Sequence, residues 1–247
     1  MSHGSASIAL VTGAGRGLGA AVAARLVAHG FRVGVSDVEV DRAEAVADRL
    51  GEAAVALHLD VTRKADFEAA RDNLTERWGG VGVLVNNAAL TQTTPIFDIG
   101  ADEFDTVMAV NLRGTFFGCQ VFGAGFRDQG YGRIVNMSSL AAQNGGAATG
   151  AHYAASKGAI ATLTKVFARD LAAHGVTVNA IAPGPLDVEL VREILPPEKL
   201  DAVKSMIPVG HLGDPDFIGD LVAFLASPGA ASMTGATVDA NGGLYAR

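Results

Sequence analysis

The sequence predicts an open, doubly wound α/β domain, with a parallel sheet of about seven strands and helices on both faces. Three observations carry that expectation. Short β-branched runs alternate with longer segments of helical period along the chain, and such repetition requires parallel pairing through right-handed crossovers. A glycine-rich turn, Thr12-Gly13-Ala14-Gly15-Arg16-Gly17-Leu18-Gly19, joins the first apolar run to the first helical one. The composition, 49% hydrophobic and 18% charged over 247 residues, suits a sheet buried on both faces and one domain covering residues 1–247.

In order, residues 8–11 read as a buried strand and 17–29 as a helix with Leu18, Val22, Leu26 and Val27 on one side. A strand at 31–36, a helix at 41–50, a strand at 54–59, a helix at 64–78 and a strand at 81–86 continue the alternation. A long helical run begins near Glu103, a strand covers 132–137, and a helix spans 151–173. Residues 1–6 are expected to be loosely held. In a sheet of this kind ligands bind beyond the carboxyl ends of the strands, where the strand order reverses.

The net charge of -7 argues against a nucleic-acid partner and against anionic membranes. No apolar run approaches the roughly 18 residues of a spanning helix, and the start Met1-Ser2-His3-Gly4-Ser5 lacks a charged region followed by an apolar core. The lone Cys119 excludes an internal disulfide and a cysteine-based metal cluster. No metal is expected, and the compartment expected is the reducing cytoplasm.

Tyr153 and Lys157 stand four residues apart in the helical run, so they share one face, one turn apart. An ammonium close to a phenol favours the phenolate and is expected to lower its pKa toward working pH. The strand at 132–137 ends in Ser138-Ser139, whose hydroxyl can bond the same substrate oxygen. The glycine turn, after a strand and before a helix, suits a pyrophosphate on the helix N-terminus. Asp37 follows the second strand at the place where a carboxylate accepts bonds from a ribose 2′-OH and repels a 2′-phosphate, which favours NAD over NADP. Asn111 interrupts a helical run, either disturbing its backbone bonding or serving as a satisfied buried amide.

Thr12-Gly13-x-x-x-Gly17-x-Gly19, Asp60, Asn86-Asn87-Ala88, Asn111, Ser139, Tyr153-x-x-x-Lys157 and Pro183-Gly184 together resemble the short-chain dehydrogenase/reductase family, from about Ser7 to Tyr245. Ile207-Pro208-Val209-Gly210-x-Leu212-Gly213 and Asn241-Gly242-Gly243-Leu244-Tyr245 look most like its beta-ketoacyl-acyl-carrier-protein reductase-like members. The resemblance implies a Rossmann fold and a homotetramer packed through the helices around Asn111 and Tyr153 and the C-terminal segment. It makes Tyr153 the acid/base and Ser139 the holder of the substrate carbonyl. Lys157 would lower the tyrosine pKa and bind the nicotinamide ribose, and Asn111 would anchor a water relaying protons to the lysine. Gly13, Arg16, Gly17, Leu18, Gly19, Asp60, Val61, Asn87, Ala88, Pro183 and Gly184 would line the cofactor. In some members a basic residue at the place of Arg16 contacts the 2′-phosphate of NADP.

Three positions depart from the family pattern. Ala89 replaces a glycine, Ser139 lies fourteen residues before Tyr153, one more than is common, and Val188 stands where a threonine often bonds the carboxamide. Candidate substrate residues are Thr91, Gln143, Asn144, His152 and Leu186, with 186–206 as a lid. The expected reaction is reversible hydride transfer between a nicotinamide cofactor and a small-molecule secondary alcohol or ketone. An NADPH-linked beta-ketoacyl thioester reductase is the alternative within the class. A non-catalytic dinucleotide-binding regulator is the alternative outside it.

Overall fold

The computed structural model describes residues 7–146, 149–188 and 197–246. The strands are β1 (Ile8–Thr12), β2 (Arg32–Asp37), β3 (Ala54–His58), β4 (Val83–Asn86), β5 (Gly132–Met137), β6 (Val176–Pro183) and β7 (Thr237–Ala240). They form one parallel sheet in the order β3-β2-β1-β4-β5-β6-β7. Ala9 of β1 pairs with Val33 of β2 on one side and Val83 of β4 on the other, so the strand order reverses beside β1.

The helices are α1 (Gly17–Ala28), α2 (Val40–Leu50), α3 (Lys64–Trp78), α4 (Ala101–Met108), α5 (Gly114–Gln129), α6 (Ala141–Asn144), α7 (Ala151–Leu171), α8 (Pro197–Met206) and α9 (Pro215–Ala226). The alternation of side chains along each strand makes two cores from one sheet. Ala9 and Val11 of β1 pack with apolar residues of α1, α2 and α9. Ile8 and Leu10 of the same strand pack with those of α3, α5 and α7. Leu84 and Ile134 face the second core, while Val83, Val85, Val135 and Met137 face the first. Every position of β1 is therefore buried, which is why the strand reads as a continuous apolar run.

The expected elements lie within a few residues of their places, with one change of kind. The helical run near Glu103 is α4, a π turn at Ala109–Arg113, and then α5. The break falls on Asn111, whose side chain bonds outside the helix. Residues 1–6, and 189–196 of the expected lid, lie outside the described residues. At the start of that lid Leu186 forms a parallel bridge with Gly213.

Candidate active site

The carboxyl ends of β1, β2, β4, β5 and β6 open onto one cleft of about 680 Å³ where the strand order reverses. The glycine turn forms one end. Gly13 (φ +61°) and Gly17 (φ +56°) hold left-handed backbone conformations, whereas Gly19 leaves room that a methyl group would take from Gly13 and Asn87. Asn87 clamps the turn: its Nδ2 donates to the carbonyls of Thr12 (2.9 Å) and Gly13 (3.0 Å). Thr12 Oγ1 accepts from the backbone N–H of Asn87 (3.0 Å) and Ala88 (3.1 Å). Helix α1 starts without a side-chain cap, so its first N–H groups are available to an anion.

Asp37 stands at the end of β2 in the same cleft. Its Oδ2 accepts from Gly15 N (3.0 Å) and its Oδ1 from Glu39 N (3.1 Å). Arg16 and Arg42 line the cleft beside it, with Arg42 paired to Glu39 at 2.9 Å. Asp60 and Val61 line the wall beyond β3, where Asp60 Oδ1 accepts from Thr62 N (2.9 Å) and Thr62 Oγ1 (2.7 Å). Leu18, Pro183, Gly184, Leu186 and Val188 complete the lining. A cradle that side chains would fill, free helix N–H groups and a fixed carboxylate fit a nicotinamide dinucleotide.

At the other end β5 delivers two serines to different tasks. Ser138 is buried and donates to the carbonyl of Lys157 (3.0 Å). Ser139 lines the cleft and accepts from Ala141 N (3.1 Å), and its hydroxyl and that of Thr91 lie near the Tyr153 phenol. Lys157 Nζ lies 5.6 Å from the centre of the Tyr153 ring and donates to the Met137 carbonyl (2.7 Å).

Burial lowers the Lys157 pKa to about 8. It also pushes the Tyr153 phenol up, against the smaller opposite effects of the neighbouring Ser139 and Thr91 hydroxyls. The lowered tyrosine pKa expected from the sequence is thus corrected for the protein by itself. The ammonium is engaged by a carbonyl over the ring face, so desolvation decides.

Between about pH 8 and 10.5 the unfolded chain keeps a proton on Lys157 that the folded chain has released, so this group makes stability rise with pH. Cys119, buried and pushed up to about 12, opposes that rise above pH 9. From pH 8 to 9 the wild type should therefore gain about 1 kcal/mol over Lys157→Met in urea unfolding at fixed ionic strength. Parallel stability curves would mean that the ammonium is solvated.

Residues 13–245 match the family model described as enoyl-(acyl carrier protein) reductase. The chain is 38% identical to 3-oxoacyl-(acyl-carrier-protein) reductase of Vibrio cholerae, over 96% of this chain and 97% of that protein. It is 37% identical to sorbitol dehydrogenase of Cereibacter sphaeroides, over 96% of each chain. To acetoacetyl-CoA reductase of Shinella zoogloeoides it is 39% identical, over 96% of this chain and 98% of that one. The chain belongs to the short-chain dehydrogenase/reductase family. It is an NAD(P)-dependent oxidoreductase acting on CH–OH or keto groups.

Other expected family positions fall differently. Asn111 is fully buried; its Nδ2 donates to the Leu90 carbonyl (3.1 Å) and Ser156 Oγ (3.0 Å), and its Oδ1 accepts from Leu90 N (2.7 Å). Both of its N–H groups and its carboxamide oxygen are bonded within the protein, as in a satisfied buried amide. Of the substrate candidates, Thr91 stands at Tyr153 and Leu186 lines the cleft. Gln143 instead donates to Asp239 on β7, and the Asn144 carboxamide oxygen accepts from Gly146 N (3.0 Å) in an exposed turn. His152 points away from the cleft to Glu103 on α4, because neighbouring helix positions diverge by about 100°.

The sequence reading missed Glu39, Arg42 and Thr62 on the cleft wall, although each closely follows a strand's carboxyl end. It also missed the buried chain behind the cleft: Asn86 Nδ2 donates to Asn136 Oδ1 (2.8 Å), and Asn136 Nδ2 donates to Thr164 Oγ1 (2.9 Å). These bonds tie β4 and β5 to α7. Among the described residues, no helix is long and apolar enough to cross a membrane, and no three His, Cys, Asp or Glu gather as metal ligands.

Proposed function

We propose that the protein transfers hydride reversibly between NAD(H) and a secondary alcohol or ketone, with Tyr153 moving the proton at the substrate oxygen. The observation that carries this reading is that Ser139, Tyr153 and Lys157 line one cleft, with Lys157 Nζ 5.6 Å from the centre of the Tyr153 ring. Ser139 holds the reacting oxygen, and the Tyr153 phenol gives it a proton in reduction and removes one in oxidation. Lys157, which donates to the Met137 carbonyl at the wall of the same cleft, would hold the ribose hydroxyls of the cofactor. The glycine turn and the N-terminus of α1 hold the pyrophosphate, with Asp60, Val61, Asn87, Ala88, Pro183, Gly184 and Val188 around the rest. The bound nicotinamide supplies or takes the hydride.

Asp37 supports NAD. Two backbone N–H groups hold its carboxylate where a 2′-phosphate would be repelled, and Glu39 already engages Arg42. Asp37→Ala should lower the ratio of NADH to NADPH kcat/KM by about tenfold or more. An unchanged ratio would remove Asp37 from cofactor choice.

The second reading, an NADPH-linked beta-ketoacyl thioester reductase, draws on Arg16 and Arg42 flanking the same carboxylate and on the 3-oxoacyl-(acyl-carrier-protein) and acetoacetyl-CoA reductases among the relatives. Initial rates with acetoacetyl-CoA, a small activated β-keto ester and sorbitol, each with NAD(H) and NADP(H), separate the two. Rapid NADPH-dependent thioester reduction would favour the second; NAD-linked turnover of the others, the first. The cytoplasmic homotetramer belongs to the same proposal. Exposed Phe104, Phe116 and Val166 on α4, α5 and α7, with Phe217 and Phe224 on α9, are the surfaces that support it.

A further inference from the structure

The helix that carries Tyr153 begins without a side-chain cap: Gly150 precedes it and offers none. Such a start frays unless something else holds the first turn. Here two long-range bonds do so, on either side of the chain. The N–H of Gly150 donates to the carbonyl of Gln92 (2.8 Å), the neighbour of Thr91. His152 Nε2 bonds Glu103 Oε1 (2.9 Å) on α4.

The histidine side chain is wholly buried while the glutamate is 29% exposed. Nε2 is the ring nitrogen that meets the carboxylate, and Nδ1 points the other way. Nδ1 has no hydrogen-bond partner among the described residues. A buried polar atom left unpaired is unfavourable, a cost that an apolar side chain at this position would avoid. The ring also abuts Gly150: a methyl group there would collide with His152 Cε1, lie 2.6 Å from Nδ1 and 2.8 Å from the Gln92 carbonyl oxygen. The imidazole, the start of α7 and the Thr91 loop thus share one packed spot.

We propose that His152 and Glu103 form a positioning pair for Tyr153. The pair fixes the first turn of α7 against α4 and, through Gly150 and Gln92, holds the Thr91 loop at the phenol. On the far side of the same turn Ser156 Oγ donates to the Tyr153 carbonyl (2.7 Å) and accepts from Asn111 Nδ2 (3.0 Å). Tyr153 is therefore braced from two directions, by the π turn and by α4. Neither His152 nor Glu103 lines the cofactor cleft, so the pair acts on the chemical step through the placement of another residue. This inference rests on Tyr153 being the acid/base.

The test uses His152→Leu, His152→Gln, Glu103→Leu and the double Leu variant, with the fastest substrate of the panel above. Glutamine keeps a donor at the reach of Nε2. His152→Leu and Glu103→Leu should each lower kcat about tenfold, with cofactor KM unchanged within about twofold. The double variant should lose little more than either single one, and His152→Gln should recover most of the rate.

Amide exchange should quicken in peptides covering 90–94 and 149–153 and stay unchanged at 164–171. Ile160→Val, a core change in the same helix, controls for lost stability. Unchanged kcat in His152→Leu, additive losses, or no recovery with glutamine would each overturn the pair. Tyr153→Phe run alongside keeps the two readings apart. If that variant stays active, the acid/base assignment fails; if it is inactive while His152→Leu is unaffected, only the positioning pair fails.

Discussion

Tyr153→Phe is expected to lower kcat by about 10²–10⁴-fold and to leave the dissociation constant for NADH within about twofold. The substitution removes one oxygen and keeps the ring, so Lys157 retains the face over which its ammonium lies and its bond to the Met137 carbonyl. Ser139 still accepts from Ala141 N, and the stability change is that of one half-buried hydroxyl, about 1 kcal/mol or less. What disappears is the proton donor. Because burial pushes the phenol up, Tyr153 is protonated at neutral pH in the protein alone and is ready to protonate a ketone oxygen. Oxidation must first take that proton away, so its rate should rise with pH more steeply than the rate of reduction. Stopped-flow hydride transfer with NADH fluorescence as the binding readout decides the matter. Full turnover in Tyr153→Phe would move the acid/base role to another group, and lost NADH affinity would make the phenol a binding residue.

The parts of the site legible in the sequence are those fixed by local geometry. Tyr153 and Lys157 share a face because a helix repeats every 3.6 residues, and Asp37 reaches the glycine turn because β2 lies next to β1. Ser139 was legible as the end of a buried strand. Just beyond that strand the two hydroxyls part, Ser139 lining the cleft and Ser138 buried against the Lys157 carbonyl of α7.

What was not legible depends on partners far along the chain. His152 faces Glu103 across 49 residues and Gln143 faces Asp239 across 96, and no local period marks such pairs. The Asn86–Asn136–Thr164 chain reads as three unrelated polar residues until the sheet brings them together. Lys157 is the instructive case. It lies beside the Tyr153 ring in the cleft, one turn along the helix, yet its electrostatics turn on burial and on the Met137 carbonyl, which spacing alone does not reveal.

Gly19→Ala should damage cofactor binding and stability together, for a steric reason that Gly17 does not share. Gly13 and Gly17 serve backbone angles, and around Gly17 there is open space. At Gly19 a methyl group would run into the Gly13 carbonyl oxygen and stand 2.5 Å from Asn87 Nδ2 and 2.9 Å from Ala14 Cα. Two of these neighbours are backbone, and the third is held by its bonds to Thr12 and Gly13. None can swing aside. Relief requires α1 to slide or the turn to open, which breaks the Asn87 clamp and moves the helix N–H groups off the anion position. Overpacking of this kind costs about 1–3 kcal/mol, and each buried bond lost adds about 1 kcal/mol. The expected result is a lower urea midpoint with the same m-value, and an NADH dissociation constant raised by about tenfold or more. Gly125→Ala is the contrast: this glycine lies in α5, is exposed and has no atom near the added methyl. That change should stabilise by about 0.5–1 kcal/mol through the gain in helix propensity. If the two variants behaved alike in urea and in NADH titration, the close approach of α1 to the turn would not be what shapes the cofactor cradle.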